Sequence, residues 1–274
     1  MIFIASFPRS GNHLCRFIVE YLTGEATRGC MLNPKDVPIC KNIFPDRPNI
    51  LQHVNPGIFV GQKVHSWSET KACTTHFGID CTGLIVLARN PVEAIMSHIS
   101  AQDQLDQVQE KFPVYFDQWR QLLVVGVCSN VQTSIVWYDE LVSKKSQLSI
   151  PSVMEIASQF WSQVGPNRLG QLVSDFEEFR RICANATGRS WAGATSIGQP
   201  ADYHFGNLNR EDRLVICEIT TDKLNQTIAE IIRFIGKPHQ EIDRLKRGQF
   251  VKDKLAIWKS NVVQLVQAYS DPEH

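Results

Sequence analysis

Residues 8–13, Pro-Arg-Ser-Gly-Asn-His, combine side-chain types that bind anions. Arg9 carries a permanent positive charge on a fork of N–H donors. Ser10 and Asn12 can donate from their side chains, and Gly11 lets the backbone approach a ligand closely. At the start of a helix, free backbone N–H groups and the helix dipole add to this attraction. The segment therefore predicts a phosphate-binding turn, although any strand–turn–helix connection of an α/β protein can carry the same residue types.

A second candidate lies in residues 83–100, GLIVLARNPVEAIMSHIS. A continuous apolar run predicts a strand that ends at Arg89, and Asn90 followed by Pro91 predicts the start of a helix. Ser97 comes eight residues after Arg89 (97 − 89 = 8), so both side chains could serve one anion. The alternatives are a structural ion pair for Arg89 and a solvated helix serine for Ser97.

The third candidate is VGQKVHSW, residues 60–67. Lys63 and His65 are two residues apart, so on a strand both side chains face the same way. A base with a cationic neighbour, next to a phosphate loop, suits proton transfer. A lone histidine can equally be a surface residue or a hydrogen-bonded core residue.

These residues must be positioned by a parallel α/β sheet, which the alternation of strand and helix patterns predicts. The C-terminal third is mostly helical, and the whole chain, residues 1–274, is predicted to be one domain. The predicted strands are Ile2 to Ser6, Ile58 to Val64, Gly83 to Ala88 and Ser134 to Tyr138. An apolar stripe follows the first strand at Leu14, Phe17, Ile18, Tyr21 and Leu22. A second apolar stripe comprises Leu224, Ile228, Ile231, Ile232 and Ile235, and ends at Gly236-Lys237-Pro238.

The composition sets limits on the partners. Twenty-eight basic and 28 acidic residues give a formal net charge of zero, so no global field favours nucleic acid or an anionic membrane. None of the eight cysteines forms a C-x-x-C pair, which favours free thiols in a reducing cytosol over a metal or redox site. No signal peptide or membrane-spanning stretch is predicted, and we expect a cytoplasmic protein.

Taken together, the three segments resemble the sulfotransferase family that uses 3′-phosphoadenosine 5′-phosphosulfate (PAPS). FPRSGNHL resembles the 5′-phosphosulfate loop of that family, P-K-S-G-T-T-W, and LARNPVEAIMSHIS resembles its 3′-phosphate segment. QKVHSW resembles its K-T-H catalytic segment, and VWYDELV its Y-E-D-L strand end. The resemblance covers about the first 140 residues. It implies a P-loop-like three-layer fold, with a central parallel sheet flanked by helices.

The resemblance also assigns roles by position. His65 would be the general base, Lys63 would lie near the sulfuryl oxygens, and Tyr138 would contact adenine or else be a core aromatic. Two sets of residues would bind the phosphates. They are Arg9, Ser10, Gly11, Asn12 and His13 for the 5′-phosphate and sulfuryl group, and Arg89 and Ser97 for the 3′-phosphate. Leu14 and Gly206 are further predicted donor contacts, and Arg9 is predicted to be catalytic together with His65 and Lys63.

The chain departs from the family pattern in three places. Arg9 replaces the loop Lys, and Leu14 replaces the Trp that stacks on adenine. The C-terminal phosphate loop, R-K-G-x-x-G-D-W-K, has no clean match. Gly206 in YHFGNLNRED fits it by position, whereas LKRGQFVKDKLAIWK fits it in composition but comes late.

The function implied is sulfuryl transfer from PAPS to a small-molecule acceptor, with 3′-phosphoadenosine 5′-phosphate (PAP) as product and no metal. The acceptor atom is a hydroxyl oxygen or an amine or guanidine nitrogen. The resemblance extends to natural-product enzymes that act on saxitoxin-type alkaloids. An atypical P-loop kinase and a non-catalytic nucleotide-binding protein are the alternatives. The oligomeric state is left open, with a homodimer as one alternative.

Overall fold

The computed structural model describes residues 1–23, 26–28, 59–65, 81–142, 153, 167–174, 176, 178–181, 208–237 and 241–270. The chain divides into two compact units, each built from several segments. The first unit contains Met1–Ser6, Ser10–Ala88 and Asn130–Thr195, and the second contains Phe7–Arg9, Arg89–Ser129 and Ser196–His274. A single domain over residues 1–274 stays a prediction.

The sheet and three of the described helices belong to the first unit. Its elements are β1 (Ile2–Ser6), α1 (Asn12–Thr23), β2 (Ala26–Arg28), β3 (Phe59–Val64), β4 (Gly83–Ala88), β5 (Gln132–Trp137), α4 (Tyr138–Val142) and α5 (Asn167–Ser174). The second unit contains α2 (Pro91–Ala101), α3 (Val108–Cys128), α6 (Arg210–Ile235) and α7 (Ile242–Ser270), with a 3-10 turn at Leu105–Gln107.

The five described strands form one parallel sheet in the order β2-β3-β1-β4-β5. The central strand β1 pairs with β3, where Ala5 is opposite Val64, and with β4, where Ser6 is opposite Leu87. The α/β class predicted from the sequence is confirmed. The predicted strand from Ser134 to Tyr138 is shifted, because the strand begins at Gln132 and Tyr138 already opens α4.

The core of the first unit lies around β1 and α1. Every residue of β1 is buried, as is every residue of β4, which is the pattern expected of parallel strands covered on both faces. The predicted apolar stripe of α1 is confirmed. Its five members are at most 2% exposed: Leu14, Phe17, Ile18, Tyr21 and Leu22. Their burial fixes the rotation of α1 and therefore the direction in which its N-terminus points.

A buried polar cluster ties α1 to the edge strand β2. Arg16 Nε and Nη2 donate to the hydroxyl and carbonyl oxygens of Thr27, at 2.9 and 3.0 Å. Glu20 Oε1 accepts from the backbone N–H of Thr27 at 2.9 Å and also from its hydroxyl. All three side chains are at most 2% exposed, and such buried charges persist only when they are hydrogen-bonded.

The second unit confirms the predicted start of α2. Asn90 Oδ1 accepts from the backbone N–H of Val92 at 3.0 Å, and Pro91 occupies the first helical position. Among the described helices of the chain, none is both long enough and apolar enough to cross a membrane.

The apolar stripe predicted for α6 is only partly right. Leu224 and Ile231 are buried, whereas Ile232 is 49% exposed. Thr220 and Thr227 lie fully buried on the packed face instead. Their hydroxyls donate to carbonyls four residues earlier, at 2.7 Å in both cases. Because the helix itself satisfies the hydroxyl, a threonine can occupy a core position that an apolar pattern assigns to isoleucine.

Candidate functional site: the carboxyl ends of the central strands

The three sequence segments follow three adjacent strands of one sheet. β1, β3 and β4 are neighbours and run parallel, so their carboxyl ends lie along the same edge. Residues 7–13 follow β1, His65 follows β3, and Arg89 follows β4. β3 is added to the sheet on one side of β1 and β4 on the other, so the order of the strands reverses at β1. Ligands of open α/β sheets bind outside the carboxyl ends at such a reversal.

The turn between β1 and α1 has an unusual backbone. Arg9 has a φ of +67° and Gly11 a φ of +85°, both in the left-handed region. Glycine adopts that region readily, whereas a side chain such as that of Arg9 is strained there. Strained residues of this kind cluster at ligand-binding sites. The strain makes this turn a candidate site on grounds independent of its residue types.

Gly11 is also required by its neighbour, the ring of Tyr138. A Cβ atom on Gly11 would lie 2.6 Å from Tyr138 Cε2 and closer still to Cδ2. Tyr138 is only 7% exposed and belongs to the core of the first unit. This contact is the packing role that the sequence left as the alternative for Tyr138, and the contact with adenine stays a prediction.

Ser6, the last residue of β1, joins two of the predicted functional residues. Its hydroxyl accepts from Asn12 Nδ2 at 3.0 Å, and Asn12 Nδ2 also donates to the Ile4 carbonyl at 3.1 Å. The Ser6 carbonyl lies 2.8 Å from His65 Nδ1. The first residue of α1 and the predicted base are thereby fixed to the same strand end.

The bond to Ser6 defines the tautomer of His65. A carbonyl oxygen only accepts, so Nδ1 must donate, and the neutral ring then carries its lone pair on Nε2. The ring is partly exposed. An imidazole held in this way has the form required of a general base.

The N-terminus of α1 offers buried polar atoms as well as backbone amides. The first helical hydrogen bond runs from the Cys15 N–H to the Gly11 carbonyl at 3.1 Å, so the amides of residues 12–14 precede it. Ser10 is 1% exposed, and within the described part of the chain its hydroxyl has no hydrogen-bond partner. The predicted side-chain donation from Asn12 to an anion is wrong, because both N–H groups of its amide already donate to Ile4 and Ser6, and its Oδ1, buried without a partner among the described residues, can only accept. A buried hydroxyl without a partner costs free energy that an anionic ligand oxygen would recover.

In the second unit, Arg89 has structural partners. Its Nε and Nη2 donate to Glu93 Oε2 at 3.2 and 3.1 Å, and its Nη1 donates to the Arg9 carbonyl at 3.1 Å. Its own carbonyl accepts from Trp119 Nε1 at 3.1 Å. The ion pair that the sequence left as an alternative for Arg89 is therefore present. Ser97 lies two turns into α2 and is partly exposed.

The remaining predicted residues are distributed as follows. Leu14 is fully buried in the core, so only its backbone amide can contribute to an anion site. His13 is partly exposed in the first turn of α1. The backbone of Lys63 pairs with Ile4 in the sheet. Gly206 lies outside the described residues.

The structure groups the predicted residues by unit. Ser10, Gly11, Asn12, His13, His65 and Tyr138 lie in the first unit, and Arg9, Arg89 and Ser97 lie in the second.

Sequence reasoning missed Ser6, Glu93 and Trp119. Glu93 had a signal, since it lies four residues after Arg89 in the first turn of α2. The sequence signal for Ser6 was weaker, since it consists only of a polar residue at the end of an apolar strand. The bond from Trp119 had none, because it joins residues 30 positions apart.

Within the described residues, no group of three or more His, Cys, Asp or Glu side chains is arranged to hold a metal ion. Searches of protein-family models, of curated proteins and of solved structures found nothing that matches this chain.

Proposed function

We propose that this protein is a PAPS-dependent sulfotransferase that transfers a sulfuryl group to a small-molecule acceptor. The observation that carries the proposal is the pair of hydrogen bonds to Ser6. They hold a histidine in the tautomer of a base and, from the same residue, anchor the N-terminus of α1, where anions bind. A base and an anion site fixed by one strand end suit the transfer of an anionic group to a nucleophile.

The parallel sheet supports the finer fold proposal, a P-loop-like three-layer arrangement. Its central strand is followed by a glycine-containing turn and a helix, with the sheet extended on both sides of that strand. The reversal of strand order at β1 would lie under the donor nucleotide.

Two sets of residues would bind the donor. The Ser10 hydroxyl and the amides at the start of α1, including those of Asn12, His13 and Leu14, would hold the 5′-phosphate and sulfuryl oxygens, with Gly11 permitting the approach and Arg9 supplying charge. For the 3′-phosphate, the resemblance proposes Arg89 and Ser97. It also proposes Lys63 near the sulfuryl group, with Tyr138 and Gly206 as further donor contacts.

His65 would act as the general base. When bound, PAPS would supply an activated sulfuryl group for transfer from the 5′-phosphate oxygen to the acceptor oxygen or nitrogen. His65 Nε2 would take the proton that the acceptor loses, and its Nδ1 would keep the proton that it donates to Ser6. General-base assistance of this kind is worth ~10²–10⁴-fold in rate. Arg9, Lys63 and the helix amides would stabilise the charge that grows on the leaving PAP.

The acceptor is proposed at the level of a class. Asp103, Asp106 and Glu110 are exposed around the turn between α2 and α3, and such carboxylates suit a cationic acceptor of the saxitoxin type. Asp202, a further candidate, lies outside the described residues. The proposal includes a cytoplasmic location, and no role for nucleic acid or membrane.

The rival functions are an atypical P-loop kinase and a non-catalytic nucleotide-binding protein. One titration tests for the two phosphate sites of a PAPS-binding protein, and turnover then separates the sulfotransferase from the non-catalytic protein. The purified protein is titrated with PAP by calorimetry, with adenosine 5′-phosphate as the control and EDTA in both cells. We expect PAP to bind at least about tenfold more tightly, since a second phosphate contact is worth about 1.5–3 kcal/mol. Equal binding of the two, or no binding of either, would contradict the proposal. Turnover that stops with EDTA would favour the kinase.

A further inference from the structure

A hydrogen bond from Arg89 reaches the backbone of Arg9, in the turn before α1. Arg9 has a left-handed backbone, φ +67°, which residues with a Cβ atom rarely adopt. Its carbonyl accepts from Arg89 Nη1 at 3.1 Å. Both residues belong to the second unit. A hydrogen bond from a charged donor is stronger than one between neutral groups, so Arg89 opposes the relaxation of this strained residue.

Glu93 fixes the orientation of Arg89. One carboxylate oxygen, Oε2, accepts from both Nε and Nη2, at 3.2 and 3.1 Å. The guanidinium is planar and rigid, so holding its Nε edge determines where Nη1 points. Both side chains are 13% exposed, which limits the screening of this pair by water and salt. Trp119 Nε1 donates to the main-chain carbonyl of Arg89 at 3.1 Å and so holds the backbone of Arg89.

We propose that Glu93 is a positioning residue, which holds Arg89 so that Arg89 braces the strained turn at Arg9. We name the chain of contacts from Glu93 through Arg89 to the Arg9 carbonyl the brace. The inference deepens the proposed function, and its nucleotide measurements rest on that function. It assigns a second role to Arg89, besides the proposed contact with the 3′-phosphate. It also assigns a role to Glu93, which in this mechanism touches neither donor nor acceptor.

A competing interpretation of Glu93 makes the opposite prediction. Glu93 and Ser97 lie four residues apart on α2 (97 − 93 = 4) and therefore share one helix face, while Arg89, just before the helix, pairs with Glu93. Its carboxylate would then only compete with a 3′-phosphate for Arg89. Removing the charge would strengthen the binding of PAP and would leave a nucleotide without a 3′-phosphate unaffected.

The first test is Glu93→Gln, which keeps the shape and removes the charge. The matched control is Glu241→Gln, since Glu241 also pairs with an arginine of its own helix region, Arg244 at 3.4 Å, but is 71% exposed. We expect Glu93→Gln to weaken PAP and adenosine 5′-phosphate alike, by about fivefold, since a charge-assisted hydrogen bond is lost from the brace. Tighter PAP binding with unchanged adenosine 5′-phosphate, or no change in either, would overturn the proposal.

Two variants of Arg9 test whether the brace acts on the backbone of this residue. Arg9→Ala and Arg9→Gly both remove the charge, but only glycine adopts the left-handed region without strain. Adding Glu93→Gln should cost about fivefold in nucleotide affinity in the Arg9→Ala protein and less than about twofold in the Arg9→Gly protein. Equal losses in the two backgrounds would show that Glu93 acts elsewhere.

Trypsin provides a measurement that needs no nucleotide. Arg9 is exposed, and cleavage after it requires the turn to open locally. Glu93→Gln should speed cleavage after Arg9, followed as the fragment 1–9 under denaturing conditions, by about fivefold relative to Glu241→Gln, because the closed turn has lost its brace. An unchanged cleavage rate would reject the brace. If the wild-type protein binds neither nucleotide, the sulfotransferase proposal fails, and the cleavage rate still decides on the brace.

Discussion

Gly11→Ala should be strongly destabilising, for two reasons that can be separated. The first is the backbone, since a left-handed φ of +85° costs an alanine about 1–2 kcal/mol. The second is steric, because the new Cβ would lie 2.6 Å from Tyr138 Cε2. The ring is 7% exposed and sits in the core, so moving it costs about 1–3 kcal/mol, as overpacking usually does. The sum is a loss of about 2–5 kcal/mol in the free energy of unfolding.

The assay is urea unfolding followed by tryptophan fluorescence, with Gly170→Ala as the matched control. Gly170 lies exposed in α5, and among the described residues a Cβ there would meet no atom within 4 Å apart from its chain neighbours and its own helix backbone. The control should therefore stabilise the protein by about 0.5–1 kcal/mol, the usual gain of alanine over glycine inside a helix. The same chemical change thus has opposite signs at the two positions.

A double mutant separates the two contributions at Gly11. In a Tyr138→Ala background the ring is absent, so Gly11→Ala should cost only the backbone share, about 1–2 kcal/mol. An equal cost with and without the ring would refute the steric argument. A loss below about 1 kcal/mol in the wild-type background would refute the assigned conformation of the turn.

Three further predictions follow from the described contacts. His65→Ala should lower turnover by ~10²–10⁴-fold while calorimetry shows unchanged PAP affinity, and unimpaired turnover would remove His65 as the base. Ile231→Ala should lower the free energy of unfolding by about 2–4 kcal/mol, because Ile231 is 1% exposed. Ile232→Ala should lower it by less than about 1 kcal/mol, because that side chain is 49% exposed. Similar losses for the two variants in urea unfolding would contradict the rotation of α6. Burial raises the pKa of the Cys217 thiol from 9.0 to about 11, so the unfolded chain loses that proton first. Stability should then fall as pH rises from about 9 to about 11, and Cys217→Ala should reduce this fall; identical pH profiles would refute the shift.

Local patterns predicted much of the described fold. β1 and β4 were found as apolar runs because parallel strands covered on both faces need apolar residues throughout. α1 was found because its buried stripe follows the helical period. Asn90 was found as a cap because the capping bond reaches only two residues along the chain. In each case the physical cause lies within a short stretch of sequence.

The sequence by itself determined which residues follow the strands, and it brought the turn at Arg9, His65 and Arg89 forward as candidates. Only the tertiary structure decided the strand order that makes β1, β3 and β4 neighbours, and with it the bond from His65 to Ser6, 59 positions away. It also decided that Arg89 reaches the Arg9 carbonyl across 80 positions. Periodicity encodes which face of an element is buried, but the partner of a polar group depends on which distant segments the core brings together.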